Sequence, residues 1–373
     1  MSKTTMRDCI EMTPAAVRGQ IERADELIGG LAAAFAARMW RRLVLVASGS
    51  SYTASMCARP YLAQTLGIPV EVMFPFTFAH YESKLTGADD FVIVVSQSGA
   101  SVNCIDALKA VAAAGAVPRL LTTITDCDCA RVSDEVYNWG CGEEAVGYVT
   151  FGPMSLATYL MQFAARVAEL GGAQATLAAC VAGIERAIAA HGAVLEHADA
   201  FIARVYQQLM QMDRVYVLGC GSNYGTALEG ALKIGETVKV LAVAYEQDEF
   251  LHGPALQLSP RYTAFVIDGG DETTAHARRV HQALCKVTPN AYLVKPEALC
   301  SEEELADPRV VALPIEGEEP FTFLYCLPVF QTVASTLSSD LDSLPSHPLY
   351  YEMNKVIDFR TEEFRAEHPA EED

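Results

Sequence analysis

Ser96-Gln97-Ser98-Gly99, with Ser101 close behind, follows directly on the apolar run Phe91-Val92-Ile93-Val94-Val95 and leads into a helical pattern over Ile105–Ala114. A strand that ends in small hydroxylated residues and turns into a helix is suited to an anion. The N–H groups of the first helical turn have no intrahelical partner, and the helix dipole places partial positive charge there. Serine hydroxyls add neutral donors without bulk, and Gly99 lets the backbone approach a ligand closely. Ser50 and Ser51 stand in the same relation to a second apolar run, Leu43-Val44-Leu45-Val46. One such turn reads equally well as a helix cap. Two of them at neighbouring strand ends point to a phosphate-like anion, with Ser50, Ser51, Ser96, Gln97, Ser98 and Ser101 as its donors.

The elements that must position these residues alternate between strand and helix. Pro118–Thr123 reads as a further strand. Continuous apolar strands separated by helices indicate a parallel sheet covered on both faces. The pattern also repeats. The stretch from Arg42 to Tyr52 aligns with that from Arg214 to Tyr224, with Arg, Gly, Ser and Tyr at identical places, and Thr263–Ile267 is the counterpart of the strand at Phe91. There the strand ends in Asp268-Gly269-Gly270-Asp271, whose carboxylates would repel phosphate. The sequence therefore predicts an α/β protein of two doubly wound, flavodoxin-like αβα domains in tandem, with the anion in the first. The expected division is a helical segment 1–37, a phosphate-binding domain 38–170, a helical connector 171–211, a second, catalytic domain 212–340 and a tail 341–373.

A chain of 373 residues is long for one core, which agrees with two domains. Its formal charge of -20, from 27 basic and 47 acidic residues, opposes nucleic acid and anionic membranes. It also opposes a phosphorylated ligand, so a phosphate site must rest on local dipoles and a few placed side chains. Met1–Pro14 lacks the apolar core of a secretory signal, and no run of 18 apolar residues reads as a membrane span. The 11 scattered cysteines suit a reducing cytoplasm, and the spacing of Cys127, Cys129 and Cys141 fits no common zinc pattern.

Four motifs in order, Ser48-Gly-Ser-Ser-Tyr52, Ser96-Gln-Ser-Gly99, Ala227–Glu236 and Glu249-Phe-Leu-His-Gly-Pro254, resemble the sugar isomerase (SIS) family. The chain is similar to the isomerase half of glutamine:fructose-6-phosphate amidotransferase and to the fructosamine- and glucoselysine-type 6-phosphate deglycases. The resemblance implies that Ser51, Ser96, Gln97, Ser98 and Ser101 hold a sugar phosphate. It carries the family's glutamate onto Glu236, its turn histidine onto His252 and its tail lysine onto Lys355, as catalytic residues. Glu144, Glu229 and Glu249 are expected sugar contacts, although Val149 and Phe151 replace polar residues common in the amidotransferase. Family active sites are usually shared across a homodimer. Nothing upstream of Met6 could form a glutaminase domain, so glutamine is not expected as a substrate.

Moving a proton between adjacent carbons beside a carbonyl or imine suits a carboxylate in apolar surroundings, and Ile234-Gly235 and Thr237-Val238 flank Glu236. Without the family match Glu236 would read as an ordinary residue on an amphipathic helix. His252 suits opening of a cyclic sugar; His80 and His276 are weaker candidates. The expected reaction is cleavage of a 6-phosphorylated sugar–amine adduct. The alternatives are an aldose/ketose or amino-sugar phosphate isomerase or deaminase, and a sugar-phosphate-sensing regulator. Neither a metal nor an organic cofactor is expected, because these proton transfers need no electron sink or Lewis acid.

Overall fold

A computed structural model of the chain describes residues 4–142, 144–315, 320–357 and 359–367. Among the described residues ten strands form two five-stranded sheets, and the strands within each sheet pair in parallel. In the first sheet β1 (Arg42–Ala47), β2 (Val70–Met73), β3 (Asp90–Val95), β4 (Arg119–Thr122) and β5 (Glu135–Asn138) lie in the order β2-β1-β3-β4-β5. In the second, β6 (Arg214–Gly219), β7 (Leu241–Glu246), β8 (Thr263–Ile267), β9 (Ala291–Pro296) and β10 (Val310–Leu313) lie in the order β10-β9-β8-β6-β7. Read from the opposite edge, that is the same order, the doubly wound arrangement in which the chain reverses direction between first and third strands. The internal repeat seen in the sequence is thus a repeat of fold: β1 corresponds to β6, and β3 to β8.

The central strands form because they are β-branched and buried on both faces. Every residue of β3, β8 and β9 is buried. On one face of the first sheet Val44, Val46, Val92 and Val94 pack with Cys104, Leu108 and Val111 of the helix Val102–Ala113. On the second, Leu218, Val266 and Leu293 pack with Ala277, Val280 and Leu284 of the helix Thr274–Leu284. Each fully buried aliphatic side chain contributes about 1.5–3 kcal/mol, which fixes the strand ends that carry the chemistry.

The chain forms two compact units that are not contiguous in sequence. The first comprises Ala15–Val181 with Pro345–Asp373, and the second Met1–Pro14 with Ala182–Leu344. These limits depart from the linear division expected above. The break falls inside the helix Met6–Glu22, after Pro14, and inside the helix Thr176–Leu209. The tail after residue 344 belongs with the first sheet. Thr176–Leu209, within the helical connector expected over 171–211, is long and apolar enough, by length and composition, to cross a membrane. Its Ile184, Ile188, Val194, Phe201 and Ile202 are buried in the protein.

Candidate functional site

The register Ala47↔Val95 sets the ends of β1 and β3 side by side, so their two serine turns leave the first sheet together at its reversal point. Asn103 Nδ2 donates to Ser48 Oγ at 3.1 Å and ties the turns to each other. The second turn is also fixed from below. Ser96 N donates to the Leu121 carbonyl at 3.0 Å, while the Gln97 carbonyl accepts from Thr123 N at 3.2 Å and Thr123 Oγ1 at 2.9 Å. Gly99 has φ +65°, and a Cβ there would stand 2.2 Å from Cys127 Sγ, so both conformation and space require glycine. Ser96 Oγ is buried without a hydrogen-bond partner, against the thiols of Cys104 and Cys129. Ser98 and Ser101 are half-buried. In the first turn Ser50 and Ser51 are half-buried too, and their carbonyls accept from Thr53 Oγ1 and Ser55 Oγ.

The second unit satisfies the equivalent helix start with its own carboxylates. Asp268 is fully buried, and its Oδ1 accepts from Gly270 N at 2.9 Å and from Thr274 Oγ1 at 2.8 Å. Asp271 Oδ1 accepts from Thr273 N and from Thr273 Oγ1, each at 2.7 Å. The chain supplies its own anion here, where the first unit has serines. Nearby, Glu246, Asp248 and Glu272 line a cleft with Cys220, Gln247, Thr273 and His276.

The carboxyl chemistry of the second unit lies on the helix Ser222–Lys233, which runs into a wider turn over Ile234–Val238. Glu229, Lys233 and Glu236 are spaced four and three residues apart and share one face. Lys233 is 1% exposed and Glu229 fully buried, with Lys233 Nζ 3.3 Å from Glu229 Oε1 and paired also to Glu236 Oε1. Burial lowers the Lys233 pKa, but the two carboxylates outweigh it and hold the ammonium above its ordinary value. Burial raises the Glu236 pKa above the usual carboxylate range, against the pull of Lys233 and with the repulsion of Glu229. Of the two carboxylates that share the cation, Glu236 is the more exposed. Lys233 is not among the residues that the motifs single out. The signal was present, since a lysine three residues before Glu236 and four after Glu229 faces both.

A SIS domain model matches residues 38–167 and 208–289, more than half of the chain. The chain belongs to the SIS domain family. Among curated relatives, the glutamine–fructose-6-phosphate aminotransferase (isomerizing) of Brucella abortus is 27% identical over 303 residues, covering 74% of this chain and 48% of the relative. The SIS chain thus spans about half the length of the curated relatives it matches. Among solved structures, a candidate phosphosugar isomerase of Clostridium difficile 630 superposes with a TM-score of 0.83 at 23% identity, covering 94% of this chain and 98% of the other. The tagatose-6-phosphate ketose/aldose isomerase of Escherichia coli does so with a TM-score of 0.69 at 16% identity, covering 92% and 96%. The fold is that of phosphosugar isomerase-type SIS proteins.

The other expected residues of the SIS units are placed as follows. Glu144 is half-buried, and its carboxylate starts the helix Gly152–Leu170. Its Oε2 accepts from Thr150 N at 2.6 Å and Phe151 N at 3.1 Å, and its Oε1 from Gly152 N at 2.8 Å and Gln97 Nε2 at 3.4 Å. Its pKa is nevertheless raised, because burial outweighs these bonds. Phe151 is 4% exposed and belongs to the core. His252 lies on an exposed turn, its Nε2 3.7 Å from Asp248 Oδ2, and His276 approaches the same carboxylate at 3.4 Å. Glu249 is exposed, its N–H donating to Glu246 Oε2 at 2.9 Å. His80 sits at the surface with its ring 4.4 Å from that of Phe76. Lys355 is exposed and pairs with Glu352 at 2.7 Å, whereas another tail cation, Arg360, meets the serine cradle.

Proposed function

We propose that this SIS protein cleaves a 6-phosphorylated sugar–amine adduct, releasing an amine and a hexose 6-phosphate. The observation that carries the reading is the Glu229–Lys233–Glu236 cluster. A carboxyl that burial biases towards the neutral acid, held beside a fixed ammonium, is suited to taking a proton from carbon and returning it. In the open-chain adduct C1 bears the amine and C2 the carbonyl. Glu236 takes the C1 proton, the C–H electron pair moves into the C1–C2 bond, and the C2 oxygen gains a proton. Return of the proton to C2 leaves C1 as an imine. Water adds there, and the amine departs from an aldose 6-phosphate.

The first unit supplies the phosphate anchor through Ser96, Gln97, Ser98 and Ser101, with Ser50 and Ser51 alongside. His252 opens the cyclic sugar, and its 70% exposure suits a residue offered to a second copy of the chain, so we assign the active form as a homodimer. The eleven scattered cysteines are what supports a reducing cytoplasm as its setting. A second reading, aldose–ketose isomerisation, is favoured by the fold likeness to the tagatose-6-phosphate isomerase. It uses the same proton shuttle without imine or water.

A panel of phosphorylated sugar–amine adducts and hexose phosphates tests both. Release of free amine with hexose 6-phosphate is the expected result, and interconversion of hexose phosphates without amine release would select the second reading. Glu236→Gln is expected to lower turnover roughly 10²- to 10⁴-fold. An unchanged rate would remove Glu236 from either mechanism.

A further inference from the structure

We propose that Arg360, on the C-terminal tail, is a phosphate ligand of the serine cradle. This rests on the reading of Ser96–Ser101 as a phosphate site, and adds to it the cation which that site lacks in its own loop.

Residues far apart in sequence meet here through backbone pairing. Arg360 forms an antiparallel bridge with Ser101. On either side, Thr361 N donates to the Ala100 carbonyl at 3.1 Å, and Val102 N donates to the Phe359 carbonyl at 3.3 Å. Thr361 Oγ1 donates to Asp128 Oδ2, whose other oxygen pairs with Arg131 at 2.8 Å. The tail is therefore stitched along the loop that carries the cradle serines.

The side-chain geometry favours an added ligand over a plug. Arg360 Nη1 donates to Ser98 Oγ at 2.7 Å and to Ser101 Oγ at 3.0 Å. A serine oxygen that accepts from a guanidinium keeps its own O–H to donate elsewhere. Arg360 Nε is buried without a hydrogen-bond partner, and so is Ser96 Oγ, which is only 4% exposed. A buried N–H and a buried hydroxyl without partners each cost free energy that an acceptor-rich anion offsets. Phosphate is such an acceptor, and a guanidinium presents its donors in a planar fork that matches it. In a chain of net charge -20, a neutral serine loop alone would meet a dianion against the field of the whole protein. Among the described residues, Arg360 is the cation whose hydrogen bonds reach the cradle serines.

Calorimetric titration with inorganic phosphate tests this on the full-length protein, with melting curves to confirm folding. Arg360→Gln is expected to weaken phosphate binding roughly 10- to 100-fold, the loss of one charge-assisted contact. Arg360→Lys, which keeps the charge and loses the fork, is expected to fall between variant and wild type. Ser98→Ala separates the two levels of argument. If Ser98→Ala weakens binding while Arg360→Gln leaves it unchanged or tightens it, the cradle stands and Arg360 is no ligand; tightening would identify a tail that blocks the site. If Ser98→Ala and Arg360→Gln both leave phosphate affinity unchanged, the cradle reading fails as well.

Discussion

At the scale of single residues, chemistry here depends on what burial does to charge. Glu236 sits where desolvation favours the neutral acid and Lys233 limits the shift. A carboxyl whose folded pKa lies above its unfolded value, about 4.3, adds stability below that value and loses it as pH rises through the folded pKa. Wild-type stability should therefore fall relative to Glu236→Gln as pH rises from about 4 towards neutrality. Urea melts of both proteins across that range measure the difference. A flat difference would show that Glu236 titrates as an exposed glutamate. The motif identified Glu236, but its partner was legible only as helix spacing, because nothing in a linear sequence says that Lys233 is buried. Glu249 and Lys355, chosen by motif position, are both exposed.

At the scale of elements, strand ends and helix starts decide what each turn binds. The first unit leaves the start of Val102–Ala113 lined with serines, and the second fills the start of Thr274–Leu284 with Asp268 and Asp271. Glu144 does a comparable task for Gly152–Leu170, where its two oxygens accept three backbone N–H groups. Glu144→Gln offers one acceptor oxygen where two are used, and turns an NH₂ group towards N–H donors. It is expected to cost about 1–3 kcal/mol and to lower the melting temperature by roughly 2–10 °C. A melting curve equal to wild type would mean that the helix starts without it. The strongly apolar central strands were readable from sequence, and Thr263–Ile267 coincides with β8 residue for residue. The edge strands β2 and β5, Val-Glu-Val-Met and Glu-Val-Tyr-Asn, were not. Each is four residues long and mostly half-buried, so selection for an apolar pattern is weak.

At the scale of the whole molecule, the charge of -20 has a kinetic consequence. A phosphorylated substrate approaches against a repulsive field, which salt screens within about 10 Å at 0.1 M. Raising potassium chloride from low to near-physiological concentration should therefore raise kcat/KM for a phosphorylated substrate, by roughly two- to threefold. The sign is opposite to that of a protein with an open basic patch. A decline with salt would point to a long-range cationic surface around the site.

The sequence by itself determined the two α/β repeats, the serine turn of the first and its carboxylate replacement in the second. Each of these is local: strand, turn and helix start lie within about ten residues, where hydrophobic period and side-chain type carry the information. Only the tertiary structure decided which residues complete the turn and which units the chain's ends join. Arg360 reaches Ser98 across 262 positions, and the tail groups with the first sheet. Such contacts arise from backbone pairing between distant segments, and a lone tail arginine has no periodicity to announce it. The cradle was visible as a turn; its cation became visible once the chain was folded.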